Sequence, residues 1–262
     1  MNAFIAAFWA ELLKARRSKI TLLTALGFLL LPVTGGLFMV ILKDPEQARA
    51  MGLISTKAQL TTGAADWPSF FGMLLQGISI GGAILFALIT SWVFGREFSD
   101  HTAKELLALP TPRWVIVSAK FVLMAIWILA LVLLVFVVAL AIGAAVNIPG
   151  WSIELMWTTF WTALNTALLT FMLMPFVAYF ASWGRGYLLP MGWTFLVAVI
   201  ANIVTYLGWG DWLPWAVPVL VSGLGRPQAD QPGLHSYVMV LIAFVVGVAA
   251  TLAWWQSADQ TR

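Results

Sequence analysis

The chain has 262 residues, of which 61% are hydrophobic and 10% are charged, and its formal net charge is +3. In soluble domains roughly a quarter of all residues are charged, so a single water-soluble domain of this length is excluded. The absence of cysteine excludes disulfides, thiolate metal sites and a catalytic thiol. The remaining class is an integral membrane protein.

The first 19 residues predict a helix that lies in the membrane interface. Apolar side chains recur at helical spacing between residues 4 and 13, among them Phe8 and Trp9, and a basic run follows at once. An apolar stripe next to positive charge is typical of interfacial helices that contact anionic headgroups. The alternative is that the basic run only fixes the orientation of the chain. The basic residues are Lys14, Arg16, Arg17 and Lys19.

Six apolar windows are long enough to cross a bilayer, which needs about 20 residues. Backbone polar groups find no water in lipid, so each window should be a helix. We therefore predict an all-α integral membrane protein with six transmembrane helices in a single domain, residues 1–262. The predicted spans are residues 20–42, 67–95, 114–146, 155–184, 186–210 and 236–258.

Basic residues are divided unequally between the two ends of the predicted bundle. Six spans place both termini on one side, and that side receives ten of the Lys and Arg residues against four on the other. The positive-inside rule then puts both termini in the cytoplasm. We expect the membrane to be a bacterial-type cytoplasmic membrane. The ten are Lys14, Arg16, Arg17, Lys19, Arg96, Lys104, Arg113, Lys120, Arg185 and Arg262; the four are Lys43, Arg49, Lys57 and Arg226.

The cytoplasmic connection between spans 2 and 3 predicts a short helix over residues 103–109. Thr102 and Glu105 fit a capping box at its start. Pro110 disfavours helix in the residue before it, and Thr111–Pro112 suit the N-cap and first position of the next span. Two helical turns cannot form a core, so their apolar side chains need a partner surface or the headgroup zone. These side chains are Leu106, Leu107 and Leu109.

A further apolar stretch, Trp212–Gly225, lies between spans 5 and 6 on the outer side. It is too short to cross the membrane and contains Pro214 and Pro218. We therefore expect a short re-entrant or interfacial element there.

The segment after the second span resembles that of a known family. The string Glu97-(x)4-Thr102-(x)3-Leu106-Leu107-(x)2-Pro110-(x)2-Arg113-(x)6-Lys120 is similar to the connection between spans 2 and 3 of ABC transporter type-2 permeases. The resemblance implies an N-terminal elbow helix and a coupling helix, Thr102–Leu109, that docks on a separate ATPase subunit. It also implies that Glu97 pairs with a base such as Arg113 or one in the elbow helix. The residues implied in ATPase coupling are Glu97, Thr102, Lys104, Glu105, Leu106, Leu107, Leu109, Pro110 and Arg113.

A second resemblance lies in the outer element. Pro214-Trp215-Ala216-Val217-Pro218 looks like the Pro-Trp-x-x-Pro patch of permeases from bacitracin and lantibiotic export or immunity systems. It implies an outer gate formed by Pro214, Trp215 and Pro218.

The chain lacks the residues that bind and hydrolyse ATP. A Walker A loop needs Gly-Lys-Ser/Thr, and no lysine here follows a glycine. The chain is therefore not expected to be an enzyme or to bind a cofactor, and ATP and Mg²⁺ belong to a partner. The resemblance implies two ATPase subunits, a second and identical permease subunit and membrane lipids as partners, with no nucleic acid.

Polar residues inside the spans are few and uncharged. We expect no ionisable residue in the membrane interior, which argues against a proton- or sodium-coupled carrier. Threonines recur every four residues in the fourth span and form one hydroxyl-bearing face. The alternative is that they bond to their own helix and mark helix packing. The candidate residues of a translocation path are Thr158, Thr162, Asn165, Thr166 and Asn202.

Residues 77–81 match the nucleophile motif G-x-S-x-G around Ser79. That motif acts on a strand–turn–helix elbow with a histidine base, whereas this copy lies in a helical window. His101 and His235 fall in loops, so close helix packing at the glycines is the favoured interpretation. Two distant histidines without cysteine predict no metal site.

The predicted function is the permease subunit of an ATP-driven exporter for an amphipathic substrate: a peptide antibiotic, a drug or a lipid-like molecule. The resemblance implies a role in antibiotic resistance or immunity. Two alternatives stay open. One is a permease-like membrane scaffold or assembly factor with an ATPase partner, and the other is an intramembrane serine hydrolase.

Overall fold

The computed structural model describes residues 3–46, 64–108, 110–223 and 232–257. All regular structure in these ranges is helical. Two short 3₁₀ turns, Gly210–Trp212 and Pro214–Ala216, precede α8. The helices are α1 (Ala3–Arg17), α2 (Lys19–Lys43), α3 (Trp67–Ser99), α4 (Ala103–Leu107), α5 (Arg113–Val146), α6 (Ile153–Trp183), α7 (Leu188–Tyr206), α8 (Val217–Val221) and α9 (Leu234–Ser257).

Six of these helices are long and apolar enough to cross a membrane: α2, α3, α5, α6, α7 and α9. The all-helical, six-span prediction is confirmed at this level. Capping side chains satisfy first amide groups at the start of two of these helices. Asp66 accepts a hydrogen bond from the Ser69 amide at the start of α3, and Ser152 accepts one from Leu155 at the start of α6.

The long helices α3 and α6 form the centre of the bundle. They pack against each other, α9 packs beside α6, and α2 packs against α5 and α3. Small residues allow the close approaches. A Cβ atom at Gly77 would lie 2.8 Å from Leu31 Cδ2 of α2, and one at Gly247 would lie 2.9 Å from Pro175 Cβ of α6. Gly77 therefore has a packing role, as small residues do between membrane helices.

The N-terminal helix α1 packs mainly against α5. Glu11 and Ala15 form its buried face, whereas Ile5 and Trp9 on other faces are exposed. A charged side chain on the buried face of an otherwise apolar helix needs a partner inside the bundle. Helix α1 therefore brings a carboxylate to the end of the bundle where α3 and α5 meet.

Two details of the connection between α3 and α5 differ from the sequence-based prediction. The capping box is wrong: Thr102 has helical dihedral angles (φ −92°, ψ 0°), and its side chain makes no capping hydrogen bond. An N-cap side chain reaches the next amides only from an extended backbone. The next span starts at Arg113, not Pro112, because the ψ of Pro112 is 133° and therefore extended.

Candidate functional site

Four charged side chains from three helices meet at one end of the bundle. Glu11 and Lys14 lie three residues apart on α1, Glu97 lies near the end of α3, and Lys120 lies two turns into α5. Glu11, Glu97 and Lys120 are buried. We call these four residues the charge cluster.

Lys120 is the centre of the charge cluster. Its Nζ donates hydrogen bonds to Glu97 Oε1 at 2.7 Å, to Glu11 Oε2 at 3.2 Å and to the Val93 carbonyl at 2.7 Å. An ammonium group has three hydrogens to donate, so every donor has an acceptor. The side chain is 0% exposed, which only this complete pairing makes tolerable.

Lys14 closes the charge cluster from the solvent side. Its Nζ donates to Glu11 Oε1 at 2.7 Å and to Glu97 Oε1 at 3.0 Å, and its side chain is 32% exposed. Burial alone would lower the pKa of Lys14, but the carboxylates of Glu97 and Glu11 outweigh burial and hold that pKa above its ordinary value. Lys14 therefore stays positively charged at neutral pH.

Glu97 joins α1 to α5 through a single oxygen. Oε1 accepts from both Lys14 and Lys120, while the buried Oε2 has no hydrogen-bond partner within the described part of the chain. With two carboxylates and two ammonium groups, the charge cluster has no net charge. The end of α3 thus cannot move away from both α1 and α5 without leaving the buried Glu97 carboxylate unpaired.

Of the two bases expected to pair with Glu97, the one in the N-terminal helix is found: it is Lys14 of α1. Arg113 does not pair with Glu97: its Nη1 donates to the carbonyls of Trp255 at 2.9 Å and Gln256 at 3.0 Å, and so ties α5 to the end of α9. The last carbonyl groups of a helix have no intrahelical donor, and an arginine side chain can donate hydrogen bonds to them.

Two members of the charge cluster were not predicted as site residues. Lys120 is fully buried in α5, two turns from its start, at the end of the bundle that the distribution of basic residues assigns to the cytoplasmic side. The expectation of no ionisable residue in the membrane interior therefore stays a prediction. The position of Lys120 within the predicted span 114–146 was the signal that its ammonium group needs an acceptor inside the bundle. Glu11 interrupts the apolar stripe of α1 three residues before Lys14, the spacing of a same-face ion pair.

The short helix α4 forms a groove with the charge cluster. The walls of this groove are mostly polar, and Leu106 is their one apolar residue. The polar residues are Lys14, Arg96, Glu97, Asp100, Thr102 and Glu105. Lys104 and Glu105 are exposed, as is Pro110 after the helix. Leu106 is half-buried and packs against the core of the bundle, so it is not freely presented to a partner. Leu109 and the side chain of Leu107 lie outside the described residues.

The predicted interfacial residues of α1 have different surroundings. Phe8 is half-buried and packs against the core, whereas Trp9 is 52% exposed. Arg16, Arg17 and Lys19 are exposed, and within the described ranges no ion pair involves them. Lys14 alone of the basic run turns inward.

The candidate path residues are in two places. Along α6, Thr158 is exposed, Thr162 and Asn165 are half-buried, and Thr166 is buried with no partner for its hydroxyl in the described segments. The hydroxyl of Thr162 donates to the Thr158 carbonyl at 2.8 Å, which is self-satisfaction of the kind expected for packing. Asn202, on α7, lines a cavity whose walls include none of these four residues.

Asn202 lines a cavity between α3, α6, α7 and the outer element. The cavity also contains Thr170, the next threonine of the α6 series, together with Trp215 and Pro218. The Asn202 Nδ2 donates to the Ala198 carbonyl at 2.8 Å, which leaves the side-chain oxygen available. The structure thus joins a path candidate to two predicted gate residues. The rest of the polar lining is Ser79, Thr194 and Trp193.

The outer element packs onto the bundle through its aromatic and proline residues. The Trp215 ring lies 5.3 Å from that of Phe176 and 5.9 Å from that of Trp193. Pro218 is buried and Pro214 is half-buried. The element consists of two 3₁₀ turns and α8, none long enough to cross a membrane.

The surroundings of Ser79 do not resemble a nucleophile site. Its hydroxyl donates to the Gln76 carbonyl at 3.2 Å and accepts from Ser222 at 3.1 Å. His235 lies against the Trp212 ring at 4.7 Å, and among the described residues no contact joins either histidine to Ser79.

The described residues contain no group of three His, Asp or Glu side chains able to hold a metal.

Residues 7–202 match a protein family described as "ABC-2 family transporter protein". The match covers both the charge cluster and the connection through α4. A curated relative, the bacitracin transport permease protein BCRB of Bacillus licheniformis, is 28% identical over 179 residues. The alignment covers 68% of this chain and 85% of that relative.

Proposed function

Because this chain belongs to the ABC-2 family of transporter proteins, we propose that it exports an amphipathic substrate with energy from a separate ATPase subunit. The family consists of transmembrane subunits of transporters, not of enzymes, and its members work with an ATPase partner. The chain is therefore a multi-pass membrane protein and the transmembrane subunit of an ABC exporter. The proposal concerns its substrate, its docking site and its assembly.

The ATPase subunit docks on α4 and the groove beside it. Lys104 and Glu105 are exposed there, and charged side chains at the rim of an interface set its specificity. The groove also reaches Lys14 and Glu97. The observation that carries the proposal is the pairing of both lysines of the charge cluster with one oxygen of Glu97.

Movement of α4 passes through the charge cluster to the spans. Helix α4 follows α3 after three residues, and Glu97 at the end of α3 is bound to α1 and to α5. ATP binding drives the change only if it favours one of the two transporter states. The charge cluster makes α1 and the ends of α3 and α5 move as one body in that change.

The substrate is a peptide antibiotic or a similar amphipathic molecule. The cavity that contains Asn202 is mainly apolar with a few polar groups, which is typical of sites for such ligands. Thr170 and Thr194 donate to their own helices, so their hydroxyls offer acceptors. The Trp193 Nε1 is buried without a partner in the described segments and can donate to a substrate carbonyl. The relative's name, a bacitracin transport permease, supports this substrate class.

The working assembly has two copies of this chain and two ATPase subunits, and the substrate passes between the copies. Both termini and α4 lie in the cytoplasm, as the distribution of basic residues favours. The outer element, with Pro214, Trp215 and Pro218, then lies at the extracellular side and gates the exit.

Reconstitution of the permease–ATPase complex in proteoliposomes tests the function. We expect bacitracin to raise ATP hydrolysis and to move across the membrane in an ATP-dependent manner. Hydrolysis that is stimulated by no peptide, drug or lipid, without movement of any of them, would instead support a membrane scaffold. Transport without an ATPase subunit would contradict the proposal outright.

A further inference from the structure

A basic pocket lies beside Lys14 and Arg96, and neither carboxylate of the charge cluster lines it. Leu13, Lys14, Arg17 and Ser18 line it from the junction between α1 and α2, and Trp92 and Arg96 line it from α3. Half of these six residues are cationic and none is acidic. We call this site the junction pocket.

The junction pocket has an excess of positive charge that the protein leaves uncompensated. Lys14 is neutralised by the charge cluster, and the Arg96 Nε lies 3.0 Å from Asp100 Oδ2. Arg17 has no ion-pair partner among the residues described. Its neighbours Arg16 and Lys19 add to the local potential. An anion that enters the junction pocket thus gains attraction without displacing a carboxylate from Arg17.

The surroundings of the pocket suit a phospholipid headgroup. Helix α2 starts next to it, and the first two turns of α2 expose Leu22, Leu23 and Leu26. Trp92 forms its inner wall, and the Arg96 guanidinium lies 5.0 Å from the Trp92 ring centroid. Tryptophan with arginine is typical of the boundary between headgroups and acyl chains.

We propose that the junction pocket binds the phosphate of an anionic phospholipid. Arg17 and Arg96 provide the charge-assisted hydrogen bonds, and the acyl chains lie along the exposed leucines at the start of α2. Basic pockets between membrane helices bind such headgroups on the cytoplasmic side. Placement in the cytoplasmic leaflet rests on the orientation given under the proposed function.

The bound lipid would also act on the coupling machinery, because Lys14 is shared. Its Nζ bonds to Glu11 and Glu97, while the same side chain lines the junction pocket. A phosphate beside Lys14 competes with these carboxylates for the ammonium group. Anionic lipid therefore loosens the link between α1 and α3 and makes ATP-driven movement sensitive to leaflet composition.

Native mass spectrometry of the purified permease, without ATPase, tests the lipid site. The probes are phosphatidylglycerol, phosphatidylcholine and inorganic phosphate. We expect preferential retention of one phosphatidylglycerol per chain, and a drop of about five-fold in that preference for Arg17→Gln, since one basic residue near a membrane contributes on the order of 1 kcal/mol. Arg17→Lys should retain most of it.

Arg16→Gln is the matched control, because it removes an equal charge from the adjacent exposed residue outside the pocket. Equal losses for Arg16→Gln and Arg17→Gln would overturn the proposal in favour of diffuse surface charge. Equal retention of the two lipids, or displacement of phosphatidylglycerol by millimolar phosphate, would also overturn it. Since no ATPase is present, these results are independent of the export function.

Discussion

Lys120 Nζ lies 2.7 Å from Glu97 Oε1, and neither side chain is more than 4% exposed. This ion pair connects the third span to the end of the second, just before the connection that leads to α4. Pairs of this kind are costly to bury but still more costly to break. Because of that asymmetry, α3 and α5 stay joined when α4 moves.

Loss of Lys120 should destabilise the permease strongly. Lys120→Met leaves two buried carboxylates with Lys14 as their one remaining ammonium partner, and breaking a buried pair costs about 3–5 kcal/mol. Thermal unfolding in detergent measures this. Lys104→Met, which removes an exposed lysine from α4, should change stability by no more than about 0.5 kcal/mol. Similar effects of both substitutions would show that the charge cluster is not structurally important.

A double substitution separates pairing from lost packing. Glu97→Gln with Lys120→Met removes both charges of the pair, so it should cost less than the sum of the single substitutions. The same unfolding assay gives the interaction free energy. Strict additivity would mean that the two residues do not interact.

The link from Lys14 should persist well into the alkaline range. Its pKa in the folded protein is above the ordinary value of 10.5. A raised pKa contributes stability that is complete below the unfolded value and is lost as pH rises through the folded value. The stability difference between wild type and Lys14→Met should therefore be constant from pH 7 to 10 and decline only above 10.5. A decline between pH 7 and 9 would contradict this.

How much the sequence predicts differs between spans and site. Composition and the apolar windows suffice for six helices, because lipid permits little else for such segments. The charge cluster is different, because Glu11 and Lys120 are 109 residues apart. No local pattern indicates which carboxylate a buried lysine meets. Spacing could have identified the pair Glu11–Lys14, but only packing of α1 on α5 shows that the Glu11 side chain is buried.

The connection through α4 was predicted with less success for a local reason. The Thr102–Glu105 pattern is that of a capping box, but Thr102 follows directly from α3 with helical dihedral angles. Its amide donates to the Glu97 carbonyl at 2.9 Å, which belongs to the end of the preceding helix. The capping-box pattern depends only on the four residues from Thr102 to Glu105. It contains no information on the backbone conformation at the end of α3.

Close packing of α9 on α6 should depend on Gly247. A Cβ there would lie 2.9 Å from Pro175 Cβ and 3.1 Å from the Phe176 backbone nitrogen, so Gly247→Ala should cost about 1–3 kcal/mol. Gly192→Ala in α7 is the control, since nothing lies within 4 Å of a Cβ at that position. It should be neutral or slightly stabilising in the unfolding assay. The opposite order would contradict the helix packing described.

The cavity residue Asn202 should affect substrate response more than Thr158. Asn202→Leu removes the side-chain oxygen from the cavity wall and should lower bacitracin-stimulated ATP hydrolysis several-fold while basal hydrolysis is unchanged. Thr158→Val, at an exposed position of α6 outside the cavity, should leave stimulation intact. A larger effect of Thr158→Val would place the path along the α6 threonines instead.

The most direct test of the account is recovery of the ATPase subunit with affinity-purified permease. Glu105 on α4 and Glu154 in the first turn of α6 are both exposed, and they lie before and after the third span, at opposite ends of the bundle. Glu105→Lys reverses a charge at the docking site and should reduce recovery of the ATPase subunit at least several-fold. Glu154→Lys makes the same change at the other end of the bundle and should leave recovery unchanged. Undiminished recovery with Glu105→Lys, or loss only with Glu154→Lys, would contradict docking at α4.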